Sequence, residues 1–182
     1  MHTCHVRLFV AVDLPDPIAE ILRSLPTPAR RGLRWTTPAT WHVTLRFLGD
    51  VHDPTPLVEA LSRIPAGLDA DAVEARLGPA TAWFPGGRVL HVPVTGLESL
   101  ADVVGDVTSR WRPHDEPAFS GHVTLARFSG PGPGPGPADL AGTPVAARFV
   151  VSEVVLYASS LGSGGATHEV VSSVATTTDR TT

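Results

Sequence analysis

One segment of this chain occurs twice in altered form, and that repeat constrains the possible folds more than any other feature. Residues 41–49 read WHVTLRFLG, and residues 121–130 read GHVTLARFSG. Both segments are rich in β-branched, aromatic and aliphatic side chains and both end at glycine, which predicts two short strands. Two copies are too few for a solenoid, so the repeat favours two related halves that share one enclosure.

Strand alternation assigns the side chains of each copy to two faces. In the first copy His42, Thr44 and Arg46 share one face, and in the second copy His122 and Thr124 do so. Strict alternation sends Arg127 to the face opposite His122. Two interpretations stay open for Arg127: a twist or bulge at the strand end returns it to the histidine face, or it is a structural ion-pair partner.

Two imidazoles and two hydroxyls on matching faces are suited to proton transfer in both directions near neutral pH. An unperturbed histidine titrates near ~6.5, so one ring can accept a proton while the other donates one. A threonine two residues further on can hydrogen-bond an oxygen held between the rings. A single His-x-Thr strand is more often structural, but two matching copies favour displacement at phosphorus.

The two motifs, with their flanking residues, resemble the two-histidine phosphoesterases. The branch they resemble most is the RNA 2',3'-cyclic phosphodiesterases, also called 2'-5' RNA ligases. Similar flanking residues occur in the same order across 7–174: RLFVAVDLP at 7–15, RW at 34–35, FP at 84–85, RVL at 88–90, and Leu156, Tyr157, Ser159 and Leu161. The chain departs from the usual pattern at Trp41, His91, Gly121 and Ala158.

The resemblance implies an α+β fold. It has two pseudo-twofold-related lobes of antiparallel sheet with outer helices, and one His-x-Thr strand from each lobe lines a central cleft. We expect one bilobal domain over 1–182, with 175–182 as a disordered tail.

The implied activity is hydrolysis of a 2',3'-cyclic phosphate to the 2'-phosphate, with 2'-5' ligation as its reversible counterpart. The resemblance makes His42 the proton donor and His122 the proton acceptor, while Thr44 and Thr124 hold the non-bridging oxygens. It also implies a phosphate contact for Arg127. Neither a cofactor nor a metal is expected, because each motif strand offers one imidazole and no neighbouring carboxylate.

Other residues have competing interpretations. Arg46 shares the histidine face by parity, so it is a candidate phosphate contact, with surface ion pairing as the alternative. Base stacking and core packing are equally compatible with three aromatic residues, Trp35, Trp41 and Phe84. No role is assigned to the remaining histidines considered: His52, His91, His114 and His168.

Composition limits the class of partner. The net charge is −4, which argues against a protein that grips long duplexes through many phosphates. RNA 3' ends or nucleotides with a 2',3'-cyclic phosphate fit better. With one cysteine, 42% hydrophobic residues and no long apolar run or leader pattern, we expect a cytoplasmic monomer without membrane association.

Two other functions use the same residues. One is a nucleotide-binding module that has lost turnover, although both His-Thr pairs are intact. The other is a phosphodiesterase acting on 2'-5'-linked oligonucleotides or other cyclic nucleotides.

Hydrophobic periodicity and turn residues predict the remaining elements. Asp16 is predicted to cap a first helix with Pro17 at its first position, and Asp53 with Pro54 to start a second. A third helix is predicted over 97–111. Strands are predicted over 6–12, 72–77, 88–94, 148–157 and 167–174, with an exposed Gly-Pro loop at 130–137.

Overall fold

The two motif strands lie side by side at the centre of one antiparallel sheet. In this computed structural model the described residues are 7–68, 72–111, 118–130, 136–162 and 165–176. The strands in these ranges are β1 (Arg7–Asp13), β2 (Leu33–Trp35), β3 (His42–Asp50), β4 (Glu74–Leu77), β5 (Ala82–Trp83), β6 (Val89–Thr95), β7 (His122–Phe128), β8 (Ala147–Val150), β9 (Glu153–Gly162) and β10 (Gly165–Ala175). The helices are α1 (Asp16–Arg23), α2 (Thr55–Leu61), α3 (Ile64–Gly67) and α4 (Glu98–Val107), with 3-10 turns at Pro38–Thr40 and Ala138–Leu140.

The strand order divides the sheet into two halves. It runs β10-β9-β1-β3-β7-β6-β4-β8, with β2 added to β7 and β5 added to β6. Each half therefore has four strands along the main path and contributes one motif strand to the centre. The order strand, helix, motif strand occurs as β1-α1-β3 in one half and as β6-α4-β7 in the other. This arrangement confirms the predicted α+β fold with antiparallel sheet.

The core lies on the face of the sheet opposite the histidines. Val43 and Val123 are fully buried there, together with Leu100 and Val104 of α4. Helix α4 packs against β3, a strand of the other half, and α1 packs against β8. Each half thus helps to cover the apolar face of the other, and the open face is left to the polar side chains of the motifs.

None of the helices in the described ranges could cross a membrane, since the longest, α4, has ten residues.

Several predictions about element ends are wrong. Helix α4 ends at Val107 and not at 111, and the strand predicted over 148–157 is divided into β8 and β9. Helix α1 begins at Asp16 itself, and Pro15 is the cap residue, whose carbonyl accepts hydrogen bonds from the backbone of Ile18 and Ala19. At the other end of the chain, Thr176 is buried. Its backbone N–H donates to the carbonyl of Ser152 and its hydroxyl to that of Val151.

The proposed tail therefore does not begin at Ala175, which is the last residue of β10. The rest of that tail prediction, residues 177–182, lies outside the described residues, as do 131–135 of the Gly-Pro loop and His114.

Candidate active site

A bulge in each motif strand determines which side chains face the open side of the sheet. In β3, Thr44 pairs with Ala11 and Arg46 with Val10, so Leu45 has no partner on β1. In β7, Thr124 pairs with His91 and Ala126 with Leu90, so Leu125 is the extra residue there. One unpaired residue reverses the alternation beyond it. Both strands therefore change parity at the same place in the motif.

Because of the bulges, Arg46 and Arg127 lie on the faces of the sheet opposite to those that simple alternation predicts. Arg46 is turned to the packed face and is only 6% exposed, while Phe47 is 58% exposed and lines the open side. In the second strand Arg127 occupies the position that matches Phe47, and it also lines the open side. The parity prediction for Arg46 is therefore wrong, and for Arg127 the bulge interpretation applies.

The open face of the two motif strands forms a cavity of about 680 Å³. Both histidines and both threonines of the motifs line it: His42, Thr44, His122 and Thr124. The two strands pair at Val43 and Val123. In an antiparallel pair this register sets each motif histidine across from the threonine of the other strand. The four groups thus converge from the two halves of the chain.

His42 lies deep in this cavity, against the aromatic ring of Phe9 at a centroid distance of 4.9 Å. Burial and, to a lesser extent, the neighbouring imidazoles of His168 and His122 together lower its pKa to about 4, while a hydrogen bond to the backbone of Thr40 acts in the opposite direction. In the unliganded protein this ring is therefore neutral at pH 7. A proton on His42 needs a nearby negative charge.

The second motif histidine has its ring orientation set by the backbone. Nδ1 of His122 lies 2.8 Å from the carbonyl oxygen of Ser120. A carbonyl only accepts hydrogen bonds, so Nδ1 carries the proton and Nε2 has the free lone pair when the ring is neutral. The ring makes edge-on contacts with Phe84 and His91, at centroid distances of 4.6 Å and 5.7 Å respectively.

Close packing against the adjacent strand explains why the residue before this histidine, Gly121, is a glycine. A Cβ at this position would overlap the carbonyl oxygen of Val94 on the adjacent strand, and the same stretch is paired by the hydrogen bond from Val94 N to Gly121 O. Glycine therefore allows β7 to enter the sheet close to β6.

The predicted aromatic contacts divide into two groups. Trp35 lines the cavity, and its indole N–H donates to the carbonyl of Pro28. Trp41 lies outside the lining, packs against the core and donates its indole N–H to the hydroxyl of Thr36. Phe84 also lies outside the lining and stacks on His91 at 3.9 Å. For Trp41 the core-packing alternative therefore holds, while Phe84 packs on the rings of His91 and His122.

Several lining residues carry no sequence signal that would have assigned them to the site. Phe47 changes face only because of the bulge, and His168 comes from β10, far from either motif. Arg7 and Arg34 also line the cavity. The net charge of the protein does not indicate these two arginines as site residues, because it is −4 for the chain as a whole.

The described cavity lining is basic. It contains three arginines and three histidines, and no described lining residue is a carboxylate. Such a lining attracts anions in an otherwise acidic protein. Within the described residues, no group of three or more histidine, cysteine, aspartate or glutamate side chains is arranged to hold a metal ion.

Comparison with known proteins gives consistent matches. Residues 8–76, which include the first motif, match the family model described as LigT like Phosphoesterase. The crystal structure of TT0787 of Thermus thermophilus is 25% identical, with a TM-score of 0.78, and the match covers 95% of this chain and 99% of that one. No curated protein sequence matches the chain.

Two complexes of E. coli LigT are similar to nearly the whole chain. The complex with 3'-AMP is 27% identical and the complex with ATP is 26% identical, each with a TM-score of 0.69. Each match covers 96% of this chain and 99% of LigT. These alignments therefore include both motif strands.

Proposed function

We propose that this chain, which resembles the LigT-like two-histidine phosphoesterases, hydrolyses a terminal ribose 2',3'-cyclic phosphate to a 2'-phosphate. The substrate is an RNA 3' end or a nucleotide with that cyclic ester. The observation that carries this proposal is the convergence of two His-Thr pairs, one from each half of the sheet, on one basic cavity.

In the proposed reaction, a water oxygen attacks phosphorus and the bond from phosphorus to the 3'-oxygen breaks. His122 accepts the proton of the water at Nε2, since its Nδ1 proton is held by the carbonyl of Ser120. His42 donates a proton to the departing 3'-oxygen. The products are a 2'-phosphate and a free 3'-hydroxyl, so atoms and charge balance.

The low proton affinity of His42 links the reaction to substrate binding. Burial and two neighbouring imidazoles depress its pKa to about 4. The cyclic phosphate carries one negative charge, and an opposite charge next to an imidazole raises its pKa. Binding of the substrate therefore favours the protonated form of His42, which can then donate its proton. With one ring protonated and the other neutral, the rate follows a bell-shaped pH profile.

Binding of the phosphate is assigned to the hydroxyls of Thr44 and Thr124 and to the guanidinium of Arg127. All three side chains line the same cavity as the histidines. Guanidinium groups suit phosphate oxygens because they donate in a planar fork.

The nucleobase of the substrate is assigned to the aromatic part of the cavity lining. Trp35 and Phe47 are on this surface, and stacking a base on such a ring contributes ~1–3 kcal/mol. The cavity volume of about 680 Å³ is in the range of small-ligand sites. Crystal complexes of E. coli LigT with ATP, 3'-AMP and NADP+ support a nucleotide ligand for a protein of this fold.

The same groups can catalyse the corresponding displacement with another nucleophile. If a 5'-hydroxyl replaces water at phosphorus, the product is a 2'-5' link between two RNA ends. Resemblance to LigT supports this activity. In water, we expect hydrolysis to dominate unless the second RNA is bound in the cleft.

A panel of substrates tests the proposal. We expect hydrolysis of 2',3'-cyclic AMP to 2'-AMP, and slower or no cleavage of 3',5'-cyclic AMP and 2'-5'-linked diadenosine. Preferential cleavage of the 2'-5' link would assign the protein to that class instead. Binding of 2'-AMP with no turnover of any ester would identify a nucleotide-binding module.

Matched variants make the assay specific for the motif histidines. His42→Ala and His122→Ala remove the proposed acid and base, whereas His52→Ala removes an exposed histidine outside the cavity lining. Activity is expected to fall in the first two variants and to persist in the third. Full activity in either motif variant would refute the mechanism.

A further inference from the structure

Each motif histidine has a second imidazole packed edge-on against it. His168 meets His42 at a centroid distance of 5.3 Å and an interplanar angle of 83°. His91 meets His122 at 5.7 Å and 79°. The two contacts are on opposite halves of the sheet, so the arrangement follows its approximate twofold symmetry.

Of these two companions, His168 is in the cavity itself. It lies on β10, where its backbone pairs with Ser159 of β9, and its side chain is part of the cavity lining. Its Nδ1 is buried and has no hydrogen-bond partner among the described residues. A buried polar atom without a partner is unfavourable for stability and is uncommon in folded proteins. The position therefore needs an explanation beyond packing.

The rings around His42 hold it on two sides. Phe9 is tilted against it at 4.9 Å, and Phe9 in turn meets His168 edge-on at 5.0 Å. Phe9, His42 and His168 thus form a mutually packed set of three rings from β1, β3 and β10. Removal of the His168 ring would leave His42 with Phe9 at 4.9 Å and Tyr157 at 6.1 Å as its aromatic neighbours, and without the edge-on contact.

Among the described residues that line the cavity with His168, none is a carboxylate, and they include Arg7, whose backbone pairs with Ser159 as that of His168 does. On β9, Tyr157 lies 6.1 Å away, and its hydroxyl donates to both carboxylate oxygens of Asp13 at 2.9 and 2.7 Å. On β3 the facing group is His42, and His122 of β7 lines the same cavity. Burial lowers the pKa of His168. Both rings of the pair are therefore neutral at pH 7.

We propose that His168 is a positioning residue for His42: it holds that ring in the cleft and leaves it without a proton until a phosphate ester binds. This inference rests on the proposed function, since it concerns the group assigned as proton donor. A second imidazole competes for any proton in this pocket, and two charged rings at this separation repel each other. A bound phosphate removes that conflict because its negative charge stabilises the proton on His42.

The test follows the titration of each imidazole by NMR in the full-length protein, with inorganic phosphate as the probe. The variant His168→Phe keeps an aromatic ring in place and removes the charge. In the free protein it should raise the titration midpoint of His42 by about one pH unit. At the acidic pH where His42 titrates, the His168 ring also takes up a proton, and the variant lacks the repulsion from that charge. Phosphate should raise the midpoint of His42 in the wild type, and by less in the variant.

His91→Phe is the matched control, because it removes the imidazole next to His122 and leaves the contact between His168 and His42 intact. The midpoint of His42 should not move in this variant. If His168→Phe does not fold, as judged by its amide spectrum, His168→Tyr is used in its place. An unchanged midpoint of His42 in a folded variant would overturn the inference.

The assay separates failure of this inference from failure of the proposed function. If the wild type hydrolyses 2',3'-cyclic AMP and His168→Phe leaves both the midpoint and the pH profile of kcat/KM unchanged, His168 is only a packing residue. If the midpoint moves as expected but the wild type hydrolyses no cyclic phosphate, the pairing of the two rings stands and the proposed function is wrong.

Discussion

Val43 of β3 pairs with Val123 of β7 where the two halves of the sheet meet, and neither side chain is exposed to solvent. His42 and Thr44 flank the first valine, and His122 and Thr124 flank the second. The contact between two buried apolar side chains therefore aligns four polar groups on the opposite face. Packing on one side of the sheet sets the geometry of the chemistry on the other.

Shortening one of these valines should affect both stability and activity. Val123→Ala removes two buried methyl groups, which is expected to lower the free energy of unfolding by about 2 kcal/mol. The strands can then shift, so kcat/KM for 2',3'-cyclic AMP should also fall. Urea unfolding and steady-state kinetics measure the two effects. Val150→Ala is the control, since that valine is 57% exposed and should tolerate the change.

The arginine of the second motif is expected to matter for binding phosphate. Arg127 lines the cavity, and loss of a hydrogen bond to a charged phosphate should lower kcat/KM in Arg127→Ala by roughly 10- to 100-fold. Stability should change little, because this side chain is exposed. Arg148→Ala, an exposed arginine outside the cavity lining, controls for loss of one positive charge.

The arginine of the first motif should behave in the opposite way. Arg46 is buried on the packed face, so Arg46→Ala should destabilise the fold by more than Arg127→Ala does. Any loss of activity should follow the unfolded fraction. A purely kinetic defect in Arg46→Ala, with unfolding unchanged, would return Arg46 to the substrate site.

Thr36 is expected to support the bulge that turns Arg127 toward the cavity. Its backbone N–H donates to the carbonyl of Leu125, and its hydroxyl lies 2.8 Å from the carbonyls of Thr124 and Leu125. The same hydroxyl accepts the indole N–H of Trp41 at 2.9 Å.

Thr36→Val keeps the shape and removes the hydrogen bonds of the hydroxyl, which should lower the free energy of unfolding by about 1–3 kcal/mol. Thermal or urea unfolding measures the change. Thr37→Val is the matched control, because the Thr37 hydroxyl makes no hydrogen bond within the described residues. Equal stability of the two variants would contradict a role for Thr36 at the bulge.

Stability should decrease as pH falls below about 6.5. His42 has a pKa of about 4 in the folded protein, and near ~6.5 when unfolded. The unfolded chain therefore binds more protons between these values, so the free energy of unfolding rises with pH there. For His42 alone the loss on going from pH 7 to pH 5 is about 2 kcal/mol and saturates below pH ~4.

The depressed pKa values of His91 and His168 act in the same direction. His42→Gln should therefore show a smaller loss of stability between pH 7 and pH 5 than the wild type, as measured by urea unfolding at the two pH values. An identical loss in both proteins would show that His42 titrates normally in the folded state.

Chelators should leave hydrolysis unchanged. The proposed mechanism uses two imidazoles and no metal, and the described residues contain no cluster suited to hold one. Turnover of 2',3'-cyclic AMP should be equal before and after treatment with EDTA and dialysis. Loss of activity that returns with zinc or manganese would show a metal-dependent reaction.

The sequence by itself determined the two motif strands and the pairing of histidine with threonine in each. These follow from local patterns, because alternation within a strand depends only on the backbone of that strand. The repeat of strand, helix and motif strand in each half indicated an α+β fold with two related halves, and the resemblance to the two-histidine phosphoesterases implied that the sheet is antiparallel.

Only the tertiary structure decided the faces of Arg46, Phe47 and Arg127. A bulge forms between a strand and its partner, so no count along one strand can place it. His168 reached the site for a similar reason: the chain returns through β9 and β10 to the strand next to the first motif. Contacts between residues more than a hundred positions apart are set by packing and hydrogen-bond register, and no local pattern carries that information.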